Sequence, residues 1–432
     1  MELLLAVAFA LFAGLMMTRL FKRLNIQLPD VTAFLIAGVL IGPFVLGRIG
    51  VPGLGFNSMD QIGTISVVSN VALGFIAFDI GNEFRLSQLR KTGKAAMTIG
   101  IIQAVFATIL VDAVLIVLHF VLGEEVLPLP VTVTLGAIAS ATAPAATLMV
   151  VRQYKAKGPV TDILLPVVAL DDAVGLILFS VSFGIAQALQ GGEMNIIGIV
   201  VNPLLEIVLS VVLGAAMGGL LTLLEKIFFS NSNRVSLTIA FVMMTIALSS
   251  LQIPLGEVEI SFSPLLVCMM LGTVFCNLSP YSVDIMTRSE KWTVPLYAVF
   301  FVISGAQLDL TVFLYPMIIL IGVVYILVRC MGKYTGARFS STICHCDGNV
   351  RKYLGITLFP QAGVALGMVV TAQALGEEQG GMIRNIILFA VLVYELIGPF
   401  LTKISLEKAG EIVPHAGDAA NRARFKKKEG VT

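Results

Sequence analysis

Asp171 and Asp172 stand side by side inside the apolar run Val167-Val168-Ala169-Leu170-Asp171-Asp172-Ala173-Val174-Gly175-Leu176-Ile177-Leu178-Phe179. An ionised Asp at the centre of a bilayer costs about 2.5–3.5 kcal/mol on insertion scales, and a second acid beside it adds like-charge repulsion. Apolar packing has no use for such groups, so the pair points to an ion or proton site within a helix bundle. A carboxylate taken out of water is poor at staying charged alone, which makes a proton and a small cation rivals for it. Adjacent helical residues point about 100° apart, so one acid can face the site while the other meets a partner. Arg329, in Leu327-Val328-Arg329-Cys330-Met331-Gly332-Lys333, is the expected partner of that other acid. Lys333, one turn further on, reads as a residue that snorkels to the membrane surface.

The setting agrees. The chain has 432 residues, 57% hydrophobic and 13% charged, and a mean hydropathy of +0.95. A soluble domain carries about 25% charged residues, so this composition cannot cover a soluble surface and implies a polytopic membrane protein. The N-terminus lacks the basic stretch of a cleavable signal and reads as a first retained span. The five cysteines all lie in the second half and show no disulfide spacing. Cys344-His345-Cys346-Asp347 is too weak a pattern for a metal site and reads as a reduced loop cluster.

Apolar segments fall near 2–21, 31–47, 62–81, 95–122, 131–151, 160–189, 196–224, 235–252, 262–278, 292–310, 313–335, 353–375 and 383–402. This predicts an all-α polytopic protein with about 13 transmembrane helices. With loops numbered by the span they follow, every Lys and Arg except Arg48 and Arg384 falls on the odd loops or the C-terminal tail. Glu124-Glu125, Glu257, Glu259 and Glu377-Glu378 mark the even loops. The positive-inside rule then places the N-terminus outside and the C-terminus in the cytoplasm of a cell (inner or plasma) membrane, as an odd number of spans requires.

Spans 1–6 and 8–13 read as two inverted-topology repeats of six joined by span 7. Gly81-Asn82-Glu83-Phe84-Arg85-Leu86 ends span 3 and Gly305-Ala306-Gln307-Leu308-Asp309-Leu310 ends span 10. In Asp172-Ala173-Val174-Gly175 and Glu395-Leu396-Ile397-Gly398 an acid precedes a glycine by three. Ser140-Ala141-Thr142-Ala143-Pro144 in span 5 answers Phe359-Pro360-Gln361-Ala362-Gly363 in span 12. Proline in mid-span removes a donor and breaks the ladder, so these segments predict a crossed pair of discontinuous helices around Pro144, Pro360, Gln361 and Gly363. The Thr142 hydroxyl and freed carbonyls near it are the expected cation ligands beside Asp172. Glu395 is a secondary candidate as the repeat partner of Asp172. Asp79, Glu83 and Asn70 are candidates for lining a vestibule. Asp112 reads as a structural hydrogen-bonding acid and His119 as interfacial.

On these residues the chain resembles the cation/proton antiporter superfamily, in its bacterial sodium/proton antiporter branch. Asp171-Asp172 looks like its paired-carboxylate motif, Thr142-Ala143-Pro144 is similar to its interrupted-helix motif, Gly81-Asn82-Glu83-Phe84 resembles its GLE-type segment, and Phe300-Phe301-Val302-Ile303-Ser304-Gly305 its FFVxxG-type segment. The resemblance implies a homodimer with panel helices at 1–92 and 231–311, core helices at 93–190 and 312–405, a linker helix at 191–230 and a basic tail at 406–432. It also implies that Asp172 carries the ion and that Arg329 pairs with Asp171. Ala143 stands where some members have Asp, which removes a counter-charge. An Arg in place of Lys at the basic position cannot release a proton and favours one proton per cation.

The expected function is Na⁺ or Li⁺ exchange for H⁺ by competition for the buried Asp172 carboxylate, with Na⁺ held at Asp172 and Thr142 and with alternating access. K⁺/H⁺ antiport or K⁺ efflux is the alternative reading, and a Na⁺-coupled organic solute symporter the second. The partners are these ions, the lipid bilayer and a second copy of the chain, with no nucleic acid and no cofactor. No His cluster, nucleophile elbow or phosphate-cradling loop suggests an enzyme. The basic stretch Arg422-Ala423-Arg424-Phe425-Lys426-Lys427-Lys428 suits anionic lipid.

Overall fold

A computed structural model describes residues 2–24, 28–49, 55–190, 201–251, 253–255, 258–308, 310 and 315–412. Asp309, Glu257 and the basic tail from 413 onward lie outside these, as does the side chain of Glu83. No water reaches the hydrocarbon core, so each crossing segment must satisfy its own backbone, and the fold is helical. The first half comprises α1 (Glu2–Arg23), α2 (Asp30–Ile41), α3 (Met59–Glu83), α4 (Leu86–Leu122), α5 (Leu129–Ile138), α6 (Pro144–Gln153) and α7 (Pro159–Leu189). Then follow α8 (Asn202–Leu224), α9 (Asn231–Ser249), α10 (Pro264–Leu278), α11 (Ser282–Ala306), α12 (Pro316–Ile343), α13 (Gly348–Thr357), α14 (Gly363–Ala372) and α15 (Glu377–Lys408). Two short strands, β1 (Ile253–Leu255) and β2 (Val258–Ile260), pair antiparallel and lie between α9 and α10 in the chain.

In their described residues the predicted apolar segments overlap these helices or a broken pair. Among the described residues, length and apolarity alone qualify seven helices as crossings (α1, α4, α7, α8, α9, α12 and α15), while α2, α5, α10 and α14 are shorter apolar helices.

Two helix groups form. One buried core joins α1–α3 to α8–α11 and takes in Ala145, Ala146 and Leu148 of α6 and Ala169 of α7. The other joins α4, α5, α7, α12, α14 and α15. In the first group, glycines let backbones touch in reciprocal pairs. A Cβ at Gly38 of α2 would overlap the Val302 carbonyl oxygen of α11, and one at Gly305 of α11 would overlap the Leu35 carbonyl oxygen of α2. Gly81 and Gly272 make the same exchange between α3 and α10, against the carbonyls of Met269 and Phe78. Small residues at a crossing are what permits this approach within a membrane.

The helix carrying Asp171 and Asp172 begins with orphan amides, since Gly158 at its cap has no side chain to offer. Glu411, just past α15, supplies the cap. Its carboxylate accepts from Val160 N–H at 2.5 Å, Thr161 N–H at 2.8 Å and the Thr161 hydroxyl at 2.6 Å. A Cβ on Gly158 would lie 2.6 Å from Glu411, so that position has no room for a larger residue. Glu411→Ala is expected to lower stability by about 1–2 kcal/mol through loss of the cap and of its charge at the helix dipole. Glu411→Gln should recover part of this. Thermal melting of the purified protein checks both, and an unchanged midpoint for Glu411→Ala would show that the cap carries no weight.

Candidate ion site at two crossed helix breaks

Each half of the chain contains a broken helix of the same proportions. Half-helices of 10 residues flank residues 139–143, and half-helices of 10 residues flank residues 358–362. Pro144 opens α6, where its missing donor is harmless, and Pro360 sits inside the second break. The breaks are stitched to each other. Ala143 N–H donates to the Pro360 carbonyl at 2.8 Å, and Gln361 Nε2 donates to the Ile138 carbonyl at 2.8 Å.

An interrupted helix leaves carbonyls without donors and a partial negative charge at its C-terminal end. Two cations of α12, one turn apart, meet that charge. Arg329 donates from Nε to Ala139 O at 2.9 Å, from Nη2 to Ala141 O at 2.6 Å and from Nη1 to Phe359 O at 2.8 Å. Its guanidinium thus binds both breaks at once, and it lies 4.6 Å from the centroid of the Tyr394 ring. Lys333 Nζ donates to the Ser140 carbonyl, to Thr142 Oγ1 at 2.9 Å and to Asp171 Oδ2 at 3.0 Å. Both cations are fully buried.

Asp171 is saturated. The Thr142 hydroxyl donates to its Oδ2 at 2.5 Å, Lys333 pairs with the same oxygen, and Gln103 of α4 donates to Oδ1. Asp172 is only 7% exposed, yet its Oδ1 has no hydrogen-bond partner among the described residues. One acid is held; the other is left open to a ligand.

This corrects the expected pairing in three respects. The partner of Asp171 is Lys333, and Arg329 binds backbone instead. Lys333 does not snorkel, because α12 continues ten residues beyond it, to Ile343, and keeps it deep in the protein. Thr142 and the freed carbonyls around it already engage Asp171, Lys333 and Arg329, in place of standing free beside Asp172. The preference for one proton per cation loses its premise, since the ion-paired base is a lysine.

Residues 7–408 match the family model described as sodium/hydrogen exchanger, transmembrane. The chain belongs to this family. It is therefore a cation/proton antiporter and a multi-pass membrane protein, in a transporter family and not an enzyme class. No curated protein sequence matches it. Two solved structures are similar, both of the sodium proton antiporter MjNhaP1 from Methanocaldococcus jannaschii. The structure at pH 8 is 19% identical, covers 95% of this chain and 97% of its own, and superposes with a TM-score of 0.67. An electron-microscopy map is 16% identical over 95% of this chain and 98% of its own, with a TM-score of 0.71. At such identity the likeness concerns the fold.

Within this exchanger fold the remaining candidates separate. Glu395 is buried on α15 with its Oε2 lacking a hydrogen-bond partner among the described residues. Asn70 is exposed on α3 and takes no part in the crossing. Asp79 accepts from Arg152 and Tyr297. Gly363 opens α14 with open space around it. Asp112 lies against Gly136 of α5, and its Oδ1 has no partner among the described residues, contrary to the expected structural hydrogen bond. His119 is buried, with Nδ1 2.8 Å from the Leu127 carbonyl oxygen. Sequence reading passed over Gln103 and sent Lys333 to the membrane surface. Gln103 is a lone amide in Gly100-Ile101-Ile102-Gln103-Ala104, and that isolation was the available signal.

Proposed function

We propose that the chain exchanges Na⁺ or Li⁺ for H⁺ across a cell membrane by alternating access, with cation and proton competing for Asp172. The observation that carries this reading is the open Oδ1 of a buried Asp172 beside a fully paired Asp171. A buried carboxylate oxygen without a donor is expensive to keep. It becomes stable when a proton or a metal cation occupies it, and the two cannot share it.

Lys333 extends the chemistry. An ammonium can give up its proton in a buried site, whereas a guanidinium cannot. When a cation draws Asp171 into its coordination, Lys333 loses its counter-ion and releases its proton. Together with the proton from Asp172 this gives two protons per cation. Lys333→Arg keeps the positive charge and removes the release. In proteoliposomes, wild-type uptake of ²²Na⁺ is expected to accelerate several-fold under a membrane potential, and Lys333→Arg to respond less than twofold. A wild-type rate indifferent to potential would end the two-proton scheme.

The proposed moving body comprises α4–α7 and α12–α15, sliding against α1–α3 and α9–α11, with the basic loops on the cytoplasmic side. The primary test is proton release from dilute purified protein on addition of Na⁺, Li⁺ or K⁺. Release by Na⁺ and Li⁺ supports the proposal, release by K⁺ alone redirects it to K⁺/H⁺ exchange, and no release by any of them removes the competition mechanism.

A further inference from the structure

α6 is tied at both ends, and to different partners. At its start, Ala143 is bonded to the Pro360 carbonyl, and the Thr147 hydroxyl donates to the Thr357 carbonyl at 3.4 Å. That end belongs to the ion site. At its finish, Arg152 donates to the carboxylate of Asp79 on α3, and the same carboxylate accepts from the Tyr297 hydroxyl on α11. The next residue, Gln153, accepts from the Asp30 N–H of α2 at 2.9 Å through its side-chain oxygen. The last two residues of α6 thus hold on to three helices of the other group. The helix spans about 15 Å at 1.5 Å per residue, and it runs directly from the crossing to that group.

These contacts flank a cavity of about 890 Å³ between α2, α6, α7, α11 and the residues that follow α3. Arg85, Arg152, Lys157, Leu165 and Val294 are among its walls, so it opens on the side of the basic loops and reaches down α7 towards the acids. Asp79 is fully buried, Tyr297 nearly so, while the Arg152 side chain retains contact with the cavity. An ion pair at the edge of such a space can separate, because water there can solvate the freed guanidinium; a pair sealed in apolar packing could not. The contacts are made by side chains, with none of the backbone-to-backbone keying seen between α2 and α11.

We propose that Arg152, Asp79, Tyr297 and Gln153 form a clasp. It holds the two helix groups in the arrangement that opens this cavity, and it must release once per transport cycle. This rests on the antiport reading, in which the two groups slide past one another.

The test measures arrangement and needs no transport. A single thiol is introduced by Leu165→Cys after the five native cysteines are replaced by serine, and a membrane-impermeant maleimide is applied from the side of Lys155 and Lys157. With the clasp intact the thiol is labelled readily. Asp79→Asn is expected to slow labelling at least threefold, Tyr297→Phe to slow it by a smaller factor, and the reversed pair Asp79→Arg/Arg152→Asp to restore it to within twofold. Equal labelling in all variants would overturn the clasp. Should Asp79→Asn fail to fold, Tyr297→Phe, which deletes one hydroxyl, decides the matter by itself. Repeating the series with Asp172→Asn separates the two claims. If the labelling pattern persists while Asp172→Asn still exchanges cations, the clasp stands and the role of Asp172 falls.

Discussion

Asp172→Asn is expected to abolish cation/proton exchange, lowering the rate at least 100-fold, while leaving the protein folded and at least as stable as before. The substitution keeps shape and removes charge. A cation about 2.5 Å from a carboxylate oxygen gains roughly 6–7 kcal/mol at an effective dielectric of 20, and the amide offers only a dipole. Even after the cation's own desolvation takes back a large part, the remaining loss exceeds the 2.8 kcal/mol that corresponds to 100-fold. The stability half of the expectation is the more telling. Asp172 Oδ1 has no hydrogen-bond partner among the described residues, so neutralising it relieves a buried polar group and should not melt the fold. Groups kept against stability are characteristic of working sites. Exchange in proteoliposomes and thermal melting in detergent check the two parts. Full exchange by Asp172→Asn would remove this residue from the mechanism, and a melting point lowered by many degrees would mean that Asp172 is structural.

Arg329→Met should do the reverse and act mainly on the fold. The methionine fills much of the apolar stem volume but leaves the carbonyls of Ala139, Ala141 and Phe359 without their donor. Each buried acceptor left unsatisfied costs about 1–3 kcal/mol, so the total is on the order of 3 kcal/mol or more, and contact with the Tyr394 ring is lost as well. A drop of about 5–10 °C in the melting midpoint is expected. Arg329→Lys should lie between, since an ammonium keeps the charge and cannot reach three divergent carbonyls with a planar fork. A midpoint within 1 °C of wild type for Arg329→Met would refute the view that this side chain caps the crossing.

The contrast between these two residues also marks where sequence was informative. Asp171-Asp172 in an apolar run, and prolines in two otherwise apolar segments, are local anomalies with a physical penalty, and both led to the crossing. The pairing was not legible. Arg329 and Lys333 are one turn apart and share a helix face, so spacing gives either an equal claim on Asp171. The choice is made where the distant segments 139–143 and 358–362 cross: the carbonyls of Ala139, Ala141 and Phe359 take Arg329, and Lys333 is left to Ser140 and Asp171. The apparent end of the eleventh span also misled, because polar residues such as Thr335 and Arg338 lower hydropathy before the helix itself ends at Ile343. Gln103 was passed over for a related reason. An amide costs less than a charge in a membrane, so it stands out less, although it donates to the same acid.

The reciprocal glycine contacts have a mechanical consequence. Where Gly38 faces the Val302 carbonyl and Gly305 the Leu35 carbonyl, each backbone is a key cut for one notch. Slipping such a pair by a helical pitch of about 5.4 Å would drive bulkier side chains into the opposite main chain. α2 with α11, and α3 with α10, therefore have one register available to them and cannot act as gears. In the proposed sliding movement, displacement between the two helix groups would fall on seams such as the one beside α6, where long side chains can let go and re-engage without any main chain having to part.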